Sequence, residues 1–211
     1  SLRFTNEVTV ATDENSTSTR GASMVVLGNY VYFFYRAAGT NALTCKRLDK
    51  ADLANNTSIT IPSIAYSSPG MTAWTDGTYL YVVPDANTTV YKMSISGTTL
   101  TTEDTGTCSA EIYNHSEAAS IYFDGKEHIL VYGLSYSCNC RKFNDIFASS
   151  FTSSSVDASN NFPNLTDEGT DFGGKISAFP IDEEYMYVAT EGTIATTNVI
   201  YGIALYPYPK P

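Results

Sequence analysis

Groups that can do chemistry are few in this sequence of 211 residues, which holds two histidines, four cysteines and one tryptophan. His115 stands in "YNHSEAA" two positions before Glu117. The pair could line a channel mouth, but no base and orienting partner is spaced to make Ser116 a nucleophile. Gly133-Leu134-Ser135-Tyr136-Ser137 fails the G-x-S-x-G elbow at its last position. His128 lies inside an apolar run and reads as a packed or solvated imidazole. Glycoside hydrolysis needs two carboxylates about 5–10 Å apart. Asp85, Glu117, Asp171 and Glu191 are the candidates, and no spacing singles out a pair. The expectation is a non-catalytic protein, with a glycoside-active enzyme a lesser reading.

Binding is the better-supplied chemistry. A sugar needs an aromatic platform for its apolar face and hydrogen-bonding groups for its hydroxyls. Tyr35-Arg36, Pro84-Asp85, Leu134-Ser135-Tyr136 and Glu191-Gly192 each follow a strand-like run and fall in expected turns. The expected ligand-binding set is Tyr35, Arg36, Trp74, Asp85, His115, Glu117, Tyr136 and Glu191, with Tyr35 and Arg36 as the leading platform. For Trp74 packing between sheets is the plainer reading. Arg36 has no counterpart in the other repeats described below, which favours one asymmetric site over several equal ones. No metal ligand set is expected. Calcium is the one cofactor candidate, through the oxygen-rich "DKADLANN" at Asp49–Asn56 and "TDEGTD" at Thr166–Asp171, neither with EF-hand spacing.

The net charge is −10 and the isoelectric point about 4.5. Nucleic acid is thereby excluded as a partner, because binding a polyanion needs clustered Lys and Arg. No apolar run approaches the length of a membrane-spanning helix, so membrane insertion is not expected. "SLRFTNEVTV" lacks the basic and apolar regions of a signal peptide, as expected of a processed or excised chain. Cys45, Cys108, Cys138 and Cys140 make an even count with three pairings open. Cys138 and Cys140 are too close along one extended segment to pair with each other easily. Asn-x-Ser/Thr sequons begin at Asn15, Asn55, Asn56, Asn87, Asn114 and Asn164. Disulfides and glycans together point to a secreted, extracellular protein.

The elements that must hold these groups follow from a repeat. "LGNYVYFFY" at Leu27–Tyr35, "TDGTYLYVV" at Thr75–Val83, "FDGKEHILVY" at Phe123–Tyr132 and "IDEEYMYVA" at Ile181–Ala189 recur about every 50 residues. Each has a short apolar strand before it and an alternating strand after it. A Thr/Ser-rich fourth strand closes three of the units, at Ser58–Ile61, Thr99–Glu103 and Ser150–Ser155. Asp-Gly or Gly-Asn suits the tight hairpin between the first two strands. Tyr-x-Tyr then puts aromatics on one face, so Tyr30, Tyr32, Tyr79, Tyr81, Tyr185 and Tyr187 are expected in the core. A four-stranded meander cannot bury both faces alone, but meanders around an axis bury them on each other. The predicted fold is all-β, a single domain over 1–211 forming a four-bladed β-propeller. Blades are expected at about 20–63, 64–109, 110–160 and 166–211. The fourth lacks an outer strand, which the N-terminal strand Leu2–Ala11 (within 1–12) is expected to complete. No helix is expected beyond a short turn in "DKADLANN" or "FNDIFASSF".

The stretches "GASMVVLGNYVYFFYRAAGTNALTCKRLD" at Gly21–Asp49 and "TAWTDGTYLYVVPDANTTVYKMSIS" at Thr72–Ser96 resemble blades of secreted β-propeller lectins and related sugar-binding propellers. The resemblance implies a lectin-like protein whose partner is a glycan or glycoprotein. The four-blade count is also similar to haemopexin-like domains, which bind proteins, although no cysteine lies near either terminus to match that family's closing disulfide. The rival function is a structural or adhesive subunit of an extracellular matrix, surface layer or filament. Its self-association would use the tail "LYPYPKP" at Leu205–Pro211 or an intermolecular disulfide.

Overall fold

A computed structural model describes residues 7–12, 22–37, 42–64, 71–84, 89–107, 120–123, 128–134, 137–143, 153–155, 176–180, 185–194 and 197–207, with side chains described up to residue 106. Among the described residues every regular element is a strand, and the strands form antiparallel meanders. The first sheet is β1 (Ser23–Leu27), β2 (Tyr30–Arg36), β3 (Leu43–Asp49) and β4 (Thr57–Ile59). The second is β5 (Met71–Thr75), β6 (Leu80–Pro84), β7 (Thr89–Ser96) and β8 (Thr99–Thr107). The third runs β9 (Ser120–Phe123), β10 (His128–Leu134), β11 (Ser137–Phe143) and β12 (Ser153–Ser155). The fourth has β13 (Ile176–Pro180), β14 (Tyr185–Ile194) and β15 (Thr197–Pro207). In each sheet the strands lie in chain order, as consecutive hairpins require.

The turns have the expected chemistry. Leu27 pairs with Tyr30 across Gly28-Asn29, and Gly28 takes φ +61°. A side chain there would meet the β-carbon penalty of the left-handed region, which glycine avoids. Asp76-Gly77 makes the longer turn between β5 and β6, with Gly77 at φ +88°. A single turn occupies the Asp49–Asn56 loop, closed by Leu53 N donating to Asp49 O at 2.8 Å.

Strand alternation decides which residues meet the neighbouring sheet. On the first sheet Val25, Tyr32, Phe34, Leu43, Cys45 and Ile59 face one way. On the second, Met71, Leu80, Val82, Met93 and Leu100 face back at them, so all eight strands feed one core. The sheets are also stitched by polar contacts. Ser23 Oγ accepts from Ala73 N at 2.9 Å, and Arg47 Nη1 donates to Gly97 O at 2.7 Å. Thr60 forms a parallel bridge to Thr99 beside the outer strands. The first strands follow one another in space: β1 lies beside β5, β5 beside β9 and β9 beside β13.

The repeated tyrosines show that this packing has a direction. Tyr32 on β2 faces the second sheet. Its counterpart Tyr81 on β6 lies on the opposite face from Leu80 and Val82, turned away from the first sheet, and is 1% exposed. Equivalent faces thus point onward along the series rather than towards each other. Tyr30 and Tyr79 are half-buried, and Tyr185 and Tyr187 are known only as positions on β14.

The leading segment carries no strand over residues 7–12, the part of it that is described, and the fourth sheet holds three strands among the described residues. Thr9 and Val10 instead offer their carbonyls to the Asn56 side chain, at 3.3 and 2.8 Å. Glu191, expected in a turn, lies inside β14 with Ile200 opposite it. The ladder there continues to Ile194 and Thr197, because Thr190, Thr193, Ile194, Thr197 and Val199 are β-branched and favour extended backbone.

Candidate functional site

Strand register places Tyr35 and Arg36 at the end of β2, whereas Trp74 pairs with Tyr81 near the β5–β6 turn. Ser23, at the start of β1, pairs with Phe34 near the end of β2, and Arg36 pairs with Leu43. Met71, at the start of β5, pairs with Pro84 at the end of β6. Ser23, at the start of β1, meets Ala73 in the middle of β5.

Burial separates the expected residues. Arg36 ends β2 on the face shared by Tyr32 and Phe34 and is half-buried. Tyr35 points to the opposite face and is 1% exposed, its ring 6.1 Å from that of Phe33 and tilted by 42°. Such a ring packs, and its face is not open to a sugar. Trp74 is 7% exposed and stacks on Tyr81, with ring centres 5.2 Å apart and planes 15° apart. That geometry joins paired positions of β5 and β6 and accounts for Trp74 as sheet packing. Asp85, His115, Glu117, Tyr136 and Asp171 lie outside the described residues. Glu191 is placed only as a backbone position on β14.

The polar constellation that the structure does display belongs to the second sheet, and the sequence reading assigned its members only turn and packing roles. Asp76 Oδ1 accepts from Thr78 N at 2.8 Å and Tyr79 N at 2.7 Å. Asp76 Oδ2 accepts from the Tyr81 hydroxyl at 2.8 Å. Burial, then this carboxylate, drives the Tyr81 phenol well above its usual range, so it stays a neutral donor. Lys92, 8% exposed, holds Nζ 4.2 Å from the Tyr79 ring centre. Arg47 lies 4.2 Å over the Tyr30 ring while it donates to Gly97 O. The available signal was an Asp in a tight turn followed by a Tyr on the next strand. Spacing alone could not say that one carboxylate serves both.

Of the cysteines, Cys45 has a described side chain, and it is a free thiol in the core, not the disulfide half expected. Burial pushes it up to about 12, so it is neutral and unreactive in the folded protein. Cys138 and Cys140 are placed as backbone positions on β11, two residues apart, and Cys108 lies outside the described residues. Of the sequons, Asn55 Nδ2 donates to Asp49 Oδ2 at 2.6 Å and Asn56 Nδ2 holds the leading segment. Asn15, Asn87, Asn114 and Asn164 lie outside the described residues. No group of three His, Cys, Asp or Glu is gathered for a metal among the described residues. No helix of the described residues is long and apolar enough to cross a membrane.

Neither the known family models nor the curated proteins contain a match to this sequence. Solved structures do. A variant of the GH43 protein BlXynB from Bacillus licheniformis is 12% identical over 92% of this chain and 42% of its own, with a TM-score of 0.51. The unaltered BlXynB is 11% identical over 90% and 41%, with a TM-score of 0.50. Hydrazine synthase from Kuenenia stuttgartiensis is 13% identical over 80% and 43%, with a TM-score of 0.48. The chain thus spans about two fifths of the length of the structures it matches. At such identity the likeness speaks to fold alone, and the BlXynB fold is of the propeller type.

Proposed function

We propose that this chain is a non-catalytic binding protein of the extracellular space that recognises a carbohydrate, free or on a glycoprotein. The four sheets act as four blades of a propeller, and the part of the leading segment before residue 7 supplies the outer strand of the fourth. The observation that carries this reading is half-buried Arg36, which ends β2 on the face that the first sheet turns to the second. Two further features support ring closure. Equivalent faces point onward from sheet to sheet, and a head-to-tail contact of this kind makes a ring when the rotation closes. Val31, Tyr35 and Leu48, on the face of the first sheet turned away from the second, are also buried.

Arg36 offers a planar fork of donors suited to sugar hydroxyls or an acidic sugar's carboxylate. Asp85 and Tyr136 are the proposed partners from neighbouring turns, with His115 and Glu117 ahead of β9. Tyr35 now enters as support beneath Arg36 rather than as platform. A glycan array probed with the purified protein tests this. Specific binding that drops at least tenfold in Arg36→Ala, with an unchanged melting temperature, sustains the reading. An empty array, or binding indifferent to Arg36, overturns it. Calcium dependence is checked in the same assay with chelator.

The second reading is a self-associating structural subunit, favoured by Met24 and Val26, which stand 66% and 46% exposed on β1. Apolar side chains in such a position invite a partner surface. Concentration-dependent assembly lost in Met24→Ser/Val26→Ser, with no glycan bound, would support it.

A further inference from the structure

We infer that Asn56 is a clasp that straps the leading segment of the chain onto the first sheet. The Asn56 Nδ2 carries two N–H bonds. It donates to the adjacent carbonyls of Thr9 at 3.3 Å and Val10 at 2.8 Å, some 46 positions away in sequence. The loop that presents it is built for the purpose. Asn55, just before it, sits at φ +54° and Leu53 at φ +58°. Non-glycine residues adopt that region at a cost, so local bonds must hold them there. Asp49 does so from one side, accepting Asn55 Nδ2 at 2.6 Å while its own amide donates to Ala54 O at 2.9 Å. Thr57 Oγ1 does so from the other, donating to Asn55 O at 2.8 Å.

Among the described residues, the Asn56 bonds are the hydrogen bonds that hold the strap. Glu7, Val8 and Thr9 are exposed, and Val10 and Ala11 are half-buried. Because residues 7–12 are not in a strand, no ladder of backbone bonds secures them. An exposed amide–carbonyl pair contributes little, but it acts on a segment with few other contacts among the described residues. Two consequences follow. Asn56→Asp replaces two donors with acceptors aimed at carbonyl oxygens, so it should loosen the strap at least as much as Asn56→Ala. A glycan on Asn56 would take one of the two N–H positions, so a glycosylated Asn56 could keep at most one of the two bonds. The clasp does not depend on what the protein binds or on how its fourth sheet is completed.

Hydrogen exchange read by mass spectrometry tests the inference. In Asn56→Ala and Asn56→Asp the peptide covering residues 7–12 should exchange about threefold to tenfold faster, the range set by a bond of this strength. Peptides from β5 to β8 should keep their protection. Unchanged exchange in residues 7–12 overturns the clasp. Should a variant lose protection everywhere, the unaltered protein decides by NMR. Cross-peaks from the Asn56 side-chain amide protons to the Thr9 and Val10 α-protons support the clasp, and their absence overturns it.

Discussion

Asp76 offers the sharpest test of how this fold is held, because one carboxylate serves both a turn and a buried phenol. Its replacement by alanine removes three accepted hydrogen bonds. The two from Thr78 N and Tyr79 N lie in a half-exposed turn and contribute about 0.5–1 kcal/mol each. The bond from Tyr81, a residue 1% exposed, goes to a charged acceptor and contributes about 1.5 kcal/mol. Asp76→Ala should therefore cost about 3 kcal/mol, a large share of the 5–15 kcal/mol typical of a folded domain. Asp76→Asn keeps an acceptor for the turn and should cost about 1 kcal/mol. Tyr81→Phe should cost about 1–1.5 kcal/mol, and the double variant should show a coupling of about 1.5 kcal/mol. Urea unfolding followed by Trp74 fluorescence measures all four. The single tryptophan stacks on Tyr81 and so reports this sheet directly. Equal costs for the alanine and asparagine variants, or additive costs in the double variant, would refute the shared-carboxylate account.

Other perturbations probe different layers. Phe34, fully buried between the first two sheets, should cost about 3–5 kcal/mol on truncation to alanine, read as a lower urea midpoint. Cys45 has its pKa raised in the folded state, so its stabilising contribution is complete below the unfolded thiol's pKa near 9 and fades as pH rises towards about 12. Stability should fall by up to about 1.4 kcal/mol per pH unit above pH 9, and Cys45→Ala should flatten that slope. Gly97 takes φ +60° with open space where a β-carbon would go. Gly97→Ala should cost about 1 kcal/mol from backbone strain alone, and Gly97→Asn less, as thermal melts can show.

Much of this architecture was legible in the residues. Alternation in "YVYFFY" and "YLYVV", punctuated by Gly28-Asn29 and Asp76-Gly77, specified strand, hairpin and strand, because pleating and left-handed turns are local properties. The Thr-rich fourth strands were legible for the same reason. What pattern could not supply was direction and depth. Tyr35 and Arg36 are neighbours in sequence and alike as ligand candidates. Only the assembled chain decided that Arg36, at the end of the face turned to the second sheet, keeps some surface while Tyr35, on the face turned away from it, is closed in. Trp74 became packing when Tyr81 came to lie across the hairpin from it. Cys45 became an inert core atom rather than half of a disulfide. Asn56 became a clasp because residues 46 positions away run past it. Local chemistry sets the conformation of a segment, whereas exposure, pKa and partnership depend on what another part of the chain brings against it, and for that the sheets must be assembled.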